Sequence, residues 1–156
     1  MEYWKEIRKH VGAMPIIMNG AAGAIVENNK ILFVKHKQKQ LWQIPGGLQE
    51  LGESFGETIV REIKEELNVD VEVDKLLSIF SSSKWNIVYP NGIEIQQVTA
   101  FFLMKGKVNE SNIRIQEDEL DGYAFFDMDN IPDDTFECCK RKAEILRNWN
   151  GIVCME

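Results

Sequence analysis

Ser54-Phe55-Gly56-Glu57 reads as a capping box ahead of an amphipathic run, and it fixes where one helix of this chain begins. The Ser54 hydroxyl is placed to accept from the amide of Glu57, and the Glu57 carboxylate to reach back to the amide of Ser54. With a rotation of about 100° per residue, Phe55, Ile59, Val60, Ile63 and Leu67 share one face, the spacing expected of a surface buried against a core. Glu62, Glu65 and Glu66 fall at i, i+3 and i+4 on an edge beside that stripe, while Arg61 and Lys64 point elsewhere. Asn68 follows Leu67 and tolerates the left-handed turn that ends a helix.

Like charges four residues apart cost a few tenths of a kcal/mol in water and more beside an apolar seam. A compensating charge is therefore expected. Oxygen ligands with no His or Cys among them suit Mg²⁺ or Mn²⁺ better than zinc. A solvated acidic face, with pairs such as Glu57 to Arg61, is the alternative reading, and E-x-x-E-E alone does not decide between them.

The wider spacing does more. Gly47, Glu53, Arg61, Glu62, Ile63, Glu65, Glu66 and Val69 fall on the positions of the Nudix box, which this segment, residues 47–69, resembles. Asn68 is the one departure, standing where the box has Gly, and it too accepts positive φ. Trp42-Gln43-Ile44-Pro45-Gly46-Gly47 is similar to the lead-in common in that family. The resemblance implies an α/β/α sandwich with a mixed β-sheet between helices, filling 1–156 as a single domain. It implies a hydrolase that cleaves the diphosphate of a nucleoside diphosphate linked to another moiety X, with Mg²⁺ (or Mn²⁺) as cofactor and a homodimer as a common assembly. The implied metal ligands are Glu62, Glu65, Glu66 and a backbone carbonyl near Gly47. Glu62, Glu65 or Glu119 would be the general base, Glu119 by its place ahead of the aromatic pair Phe125-Phe126. Gly47, Glu53 and Arg61 would shape the box. A non-catalytic nucleotide-binding module is the competing reading; such modules lose box carboxylates, and this chain keeps them. Isomerisation of an isoprenoid diphosphate on the same fold would need a cysteine in the pocket, and none lies near the box in sequence.

The bulk numbers agree. A 156-residue chain that is 44% hydrophobic can bury a core, and its net charge of −7 argues against nucleic-acid polymers or anionic membranes as partners. The 3 cysteines, Cys138 and Cys139 adjacent, form neither a disulfide framework nor a zinc spacing, so a reduced cytoplasmic setting is expected. The charged first residues do not read as a signal peptide, and no apolar run approaches a membrane span.

Along the chain, apolar spacing predicts a short helix over 2–11, and 16–26 with 31–34 predicts a hairpin turning at Glu27 to Lys30. The small residues Ala21 to Ala24 leave room for the box helix or for substrate. Lys35-His36-Lys37-Gln38-Lys39 concentrates positive charge ahead of Trp42, with Lys35 and Lys37 as candidates to grip phosphate and Trp42, Trp85 and Tyr89 as candidate pocket aromatics; a solvated loop and ordinary packing are the alternatives. Val69, Val71 and Val73 alternate with acids like an edge strand before Leu76 to Ser83. Pro90-Asn91-Gly92 marks a second hairpin whose return strand is Ile93 to Met104. Asn109 to Gln116 reads as a connection with a short strand, and Phe136 to Trp149 as a closing amphipathic helix. The substrate stays open among nucleoside triphosphates, oxidised nucleotides, nucleotide sugars and CDP-alcohols. No proline stands between Asn68 and Tyr89, where relatives acting on ADP-ribose tend to carry one.

Overall fold

The computed structural model describes residues 3–89, 91–106 and 108–156. In chain order the elements are α1 (Tyr3–Val11), β1 (Ile16–Ala24), β2 (Val26–Glu27), β3 (Lys30–His36), β4 (Trp42–Gln43), β5 (Gly46–Leu48), α2 (Phe55–Leu67), β6 (Glu72–Phe80), β7 (Ile87–Val88), β8 (Glu94–Lys105), β9 (Leu120–Asp127), α3 (Glu137–Arg147) and β10 (Cys154–Met155). Glu2 and Pro90, which the sequence places in the first helix and the second turn, lie outside the described residues.

The strands divide into a mixed sheet, ordered β10-β6-β8-β1-β5 with β7 on β8, and a smaller one ordered β2-β3-β4 with β9 on β3. In β3, Leu32 and Val34 join Ile59, Ile63 and Leu67 of α2 in one core, whereas Ile31 and Phe33 join Phe80, Phe101 and Ala143 of α3 in another. Period-2 alternation along one strand thus feeds two helical layers.

The box helix starts and stops where its caps dictate. Ser54 Oγ accepts from the Glu57 amide at 3.2 Å, and the Glu57 carboxylate accepts from the Ser54 amide at 2.8 Å. Asn68 closes the helix in the left-handed conformation at φ 56°. Small residues of β1 admit what surrounds it. A Cβ on Gly20 would lie 2.6 Å from the Gly47 carbonyl oxygen of β5, and one on Gly23 would lie 2.7 Å from Ile59 Cγ1 of α2.

Four expectations are corrected. The 16–26 segment does not pair with 31–34 as one hairpin: β1 runs parallel to β8 and antiparallel to β5, and only β2 turns onto β3. Val69 and Val71 precede the strand and are buried beneath α2, while Val73 lies in the part of β6 that β10, paired only at Ser78 and Ile79, leaves as an edge. No strand forms within Asn109 to Gln116; a 3₁₀ turn spans Glu110–Asn112, and Arg114 and Gln116 give their amides to the carbonyls of Leu67 and Glu66. The last helix is shorter than 136–149, because the chain leaves it at Asn148 to set β10 on β6. Among the described residues no helix is long and apolar enough to cross a membrane.

Candidate active site

Arg61 is the hub of the box. Its guanidinium donates to Glu53 through Nε at 2.5 Å and Nη2 at 2.9 Å, and to the Leu48 carbonyl at 3.0 Å. One side chain therefore ties α2 to the loop before it and to β5. Glu53 also accepts from the Glu50 amide and the Thr58 hydroxyl. The Arg61 hydrogen bond leads these in holding the Glu53 carboxyl down at about 2. Glu53→Gln removes one face of that fork. It is expected to lower the melting temperature, at a cost of roughly 1–3 kcal/mol, and to reduce turnover about tenfold or less. Thermal melts beside steady-state kinetics check this; a variant with no measurable turnover would give Glu53 a direct role.

The acidic edge faces the same way. Glu66 is only 4% exposed, and its Oε2 accepts from the Gly46 amide at 3.2 Å. Burial, followed by the charge of Glu62, pushes its carboxyl well above the usual range. Glu62 is also raised, chiefly by burial, although it accepts from Arg61 Nη1 at 2.8 Å. Glu65 is half exposed and shares that Nη1 at 3.1 Å. The loop pinned by Gln116 to the Glu66 carbonyl carries Glu119 toward them, and its charge adds to the rise at both Glu62 and Glu66. Among the described residues no three such side chains stand close enough to close around an ion as they lie. Arg61 instead spans Glu62 and Glu65. A Cβ on Gly47 would meet the Glu62 carboxyl carbon at 2.3 Å, so only glycine lets the β5 backbone run against that carboxylate. A buried carboxylate held by one amide, a second packed on bare backbone and an all-oxygen donor set fit a hard divalent cation.

A cavity of about 970 Å³ opens from Gly46 and Gly47 across Ala21 and Ala22 to α3. The small residues of β1 thus serve both neighbours the sequence left open, α2 at Gly23 and the cavity at Ala21 and Ala22. Of the predicted substrate-binding residues only Trp85 lines it. Lys35 is drawn off by Asp134 at 2.5 Å and Lys37 by the Glu117 carbonyl at 2.8 Å. Trp42 packs edge-on against Phe126 at 4.9 Å, and Tyr89 lies outside the wall beneath Lys39. The cavity cations are Lys39, Lys84, Lys140, Arg141 and Lys142, of which only Lys39 belongs to the basic run that the sequence marks ahead of Trp42. A signal for Lys142 was present: it falls three residues after Cys139 and four before Leu146, on the face expected to be buried. Cys138 and Cys139, remote from the box in sequence, also line the cavity.

Residues 18–148 match the model of the NUDIX domain. An ADP-ribose pyrophosphatase from Methanocaldococcus jannaschii is 33% identical over 132 residues, 83% of this chain and 73% of that protein. Nucleoside diphosphate-linked moiety X motif 6 of Xenopus laevis is 44% identical over 64 residues, 38% of this chain, which spans only 30% of that protein's length. The crystal structure of an ADP-ribose pyrophosphatase from Streptococcus suis superposes with a TM-score of 0.65 at 23% identity, covering 89% of this chain and 98% of that one, a likeness of fold. With the domain model spanning most of its length and the archaeal relative aligned across both chains, this chain belongs to the Nudix hydrolase family.

Proposed function

We propose that the chain hydrolyses the diphosphate linkage of a nucleoside diphosphate joined to a moiety X, using Mg²⁺ or Mn²⁺ held by Glu62, Glu65, Glu66 and the Gly47 carbonyl. The observation that carries this is Glu66, a carboxylate 4% exposed with Glu62 beside it, set behind the glycines that open onto the cavity. A bound cation would offset the charge of the diphosphate and acidify the attacking water. The chain's own groups do the rest. One of Glu62, Glu65 and Glu119, the carboxylates of that edge, takes the water's proton. Arg61 holds Glu62 and Glu65 in register with the box. Lys39 and Lys84 supply positive charge to a polyanionic ligand in a chain whose net charge is −7, whereas Arg141 on the same wall is already held by Glu144 and Glu156. Trp85, braced edge-on by Phe80 at 5.1 Å, offers an apolar slab for a base.

The named archaeal relative puts ADP-ribose at the head of a substrate panel, although the segment after the box lacks the proline that the resemblance associates with it. ADP-ribose, nucleotide sugars, nucleoside triphosphates and CDP-alcohols are to be incubated with the protein, with Mg²⁺ and with EDTA. A nucleoside monophosphate is expected from at least one of them, only with the cation present. Cation-dependent binding without any hydrolysis would favour the sensor-module reading.

A further inference from the structure

Lys142 is a lysine enclosed by the fold whose side chain reaches the cavity wall. It is 5% exposed and lines the cavity, with its Nζ 4.3 Å from the centre of the Phe80 ring. The nearby carboxylates of its own helix are taken: Glu137 pairs with Lys140 at 2.8 Å and Glu144 with Arg141 at 2.7 Å. Among the described residues no carboxylate pairs with Lys142. One turn back on the same face stands Cys138, the second residue of α3, also on the cavity wall. It sits in the first turn, where unpaired amides favour an anion. Cys139 Sγ lies 4.0 Å from Cys138 Sγ, close enough to share a hydrogen between the two. Cys139 is itself buried against the Ile44 amide at 3.4 Å.

From this geometry we infer that Cys138 is a reactive thiolate one helical turn from Lys142, and a site of reversible oxidation by hydroperoxides that alters the cavity wall where substrate would bind. The hydrogen bond from Cys139, with the charge of Lys142 adding to it, lowers the Cys138 thiol from the ordinary thiol range, while Cys139 is raised. In the oxidation the thiolate sulfur attacks one oxygen of hydrogen peroxide, an S–O bond forms as the O–O bond breaks, and hydroxide leaves. The product is a sulfenic acid. It does not proceed to a disulfide with Cys139, because S–S closure to about 2.05 Å between adjacent helical residues would require the first turn of α3 to unwind.

The test uses the full chain and needs no substitution for its main readout. Iodoacetamide is applied at pH 6, where sulfur attacks the methylene carbon as iodide leaves, and each cysteine is followed by peptide mass spectrometry. At that pH a thiol of ordinary pKa is ionised to well under about 1%, and the lower intrinsic nucleophilicity of an acidic thiolate offsets only part of its advantage. Cys138 is expected to react at least about tenfold faster than free N-acetylcysteine under the same conditions, with Cys154, raised by burial and by Glu156, slower still, and Lys142→Met to remove most of the advantage over N-acetylcysteine. Equal rates for N-acetylcysteine and for Cys138 in the unaltered chain would overturn the assignment. Hydrogen peroxide followed by dimedone is expected to tag Cys138, with turnover falling in step and returning with dithiothreitol. Absence of the dimedone adduct also overturns it. The turnover arm rests on the hydrolytic reading of the same cavity. The labelling arm does not, so failure of one is distinguishable from failure of the other.

Discussion

Glu66→Gln is expected to cut Mg²⁺-dependent turnover by at least about a hundredfold, a loss of roughly 3 kcal/mol of transition-state stabilisation, and to make the metal-free protein more stable. Both effects follow from one burial. At neutral pH the fold confines a carboxylate that is 4% exposed, beside Glu62 and Glu119, with a single amide to satisfy it. Its folded pKa lies above the unfolded value, so the folded state carries no penalty at low pH, where both states are protonated. The penalty grows as pH rises through the unfolded value near 4.3 and levels off only above the folded pKa. Glu62 adds to it in the same sense. Glu53, held down at about 2, acts oppositely: its contribution is complete above the unfolded value and is lost as pH falls toward 2. In EDTA the unaltered protein should therefore melt at a lower temperature at pH 8 than at pH 5, and Mg²⁺ should restore stability more at pH 8. Glutamine keeps the shape and an acceptor for the Gly46 amide but removes the charge, which flattens both dependences. Thermal melts at the two pH values with and without Mg²⁺, beside kinetics, read both halves. A variant that still gained stability from Mg²⁺ as the parent does would remove Glu66 from the ligand set.

The box helix was legible because its signals are local. A capping box, an apolar stripe and an Asn terminator each act within a turn of the chain, and all lie where the sequence puts them. Strand partners were not legible, because period-2 alternation says which face of β1 is buried and nothing about which strand lies beside it. What settles β1 is steric: Gly20 and Gly23 admit β5 and α2 at distances a Cβ would forbid. The 109–116 connection has no partner strand; its amides go to the open C-terminal carbonyls of α2, a satisfaction that local sequence does not announce. The cavity cations were missed for a related reason. In the visible run Lys35-His36-Lys37-Gln38-Lys39, Lys35 and Lys37 are consumed by Asp134 and the Glu117 carbonyl and only Lys39 reaches the cavity, where Lys84 and Lys142 join it from distant segments that only the fold brings together.

Gly47→Ala is expected to keep the fold and lose most of the activity, and comparison with Gly56→Ala isolates the reason. At Gly47 the new methyl would overlap the Glu62 carboxyl, 2.3 Å from Cδ and 2.3 and 2.5 Å from its two oxygens. The strand is held in place, because Gly47 is in register with Ala21 of β1 and its carbonyl fills the space a side chain at Gly20 would need. Glu62 must rotate, which breaks its bond from Arg61 and takes the carboxylate off the acidic edge. Overpacking of this kind costs about 1–3 kcal/mol. Displacing a ligand and candidate base should lower turnover by about a hundredfold or more. Gly56 lies in the first turn of α2, where a Cβ would find its nearest neighbour, Val73 Cγ2, at an ordinary 3.6 Å. There the exchange only reduces the freedom of the unfolded chain, so the melting temperature should rise by the equivalent of about 0.5–1 kcal/mol with kinetics unchanged. Circular-dichroism melts and Mg²⁺-dependent kinetics on the two variants make the comparison. If Gly47→Ala turned over as fast as the parent, the contact between the β5 backbone and Glu62 would have no part in building the site.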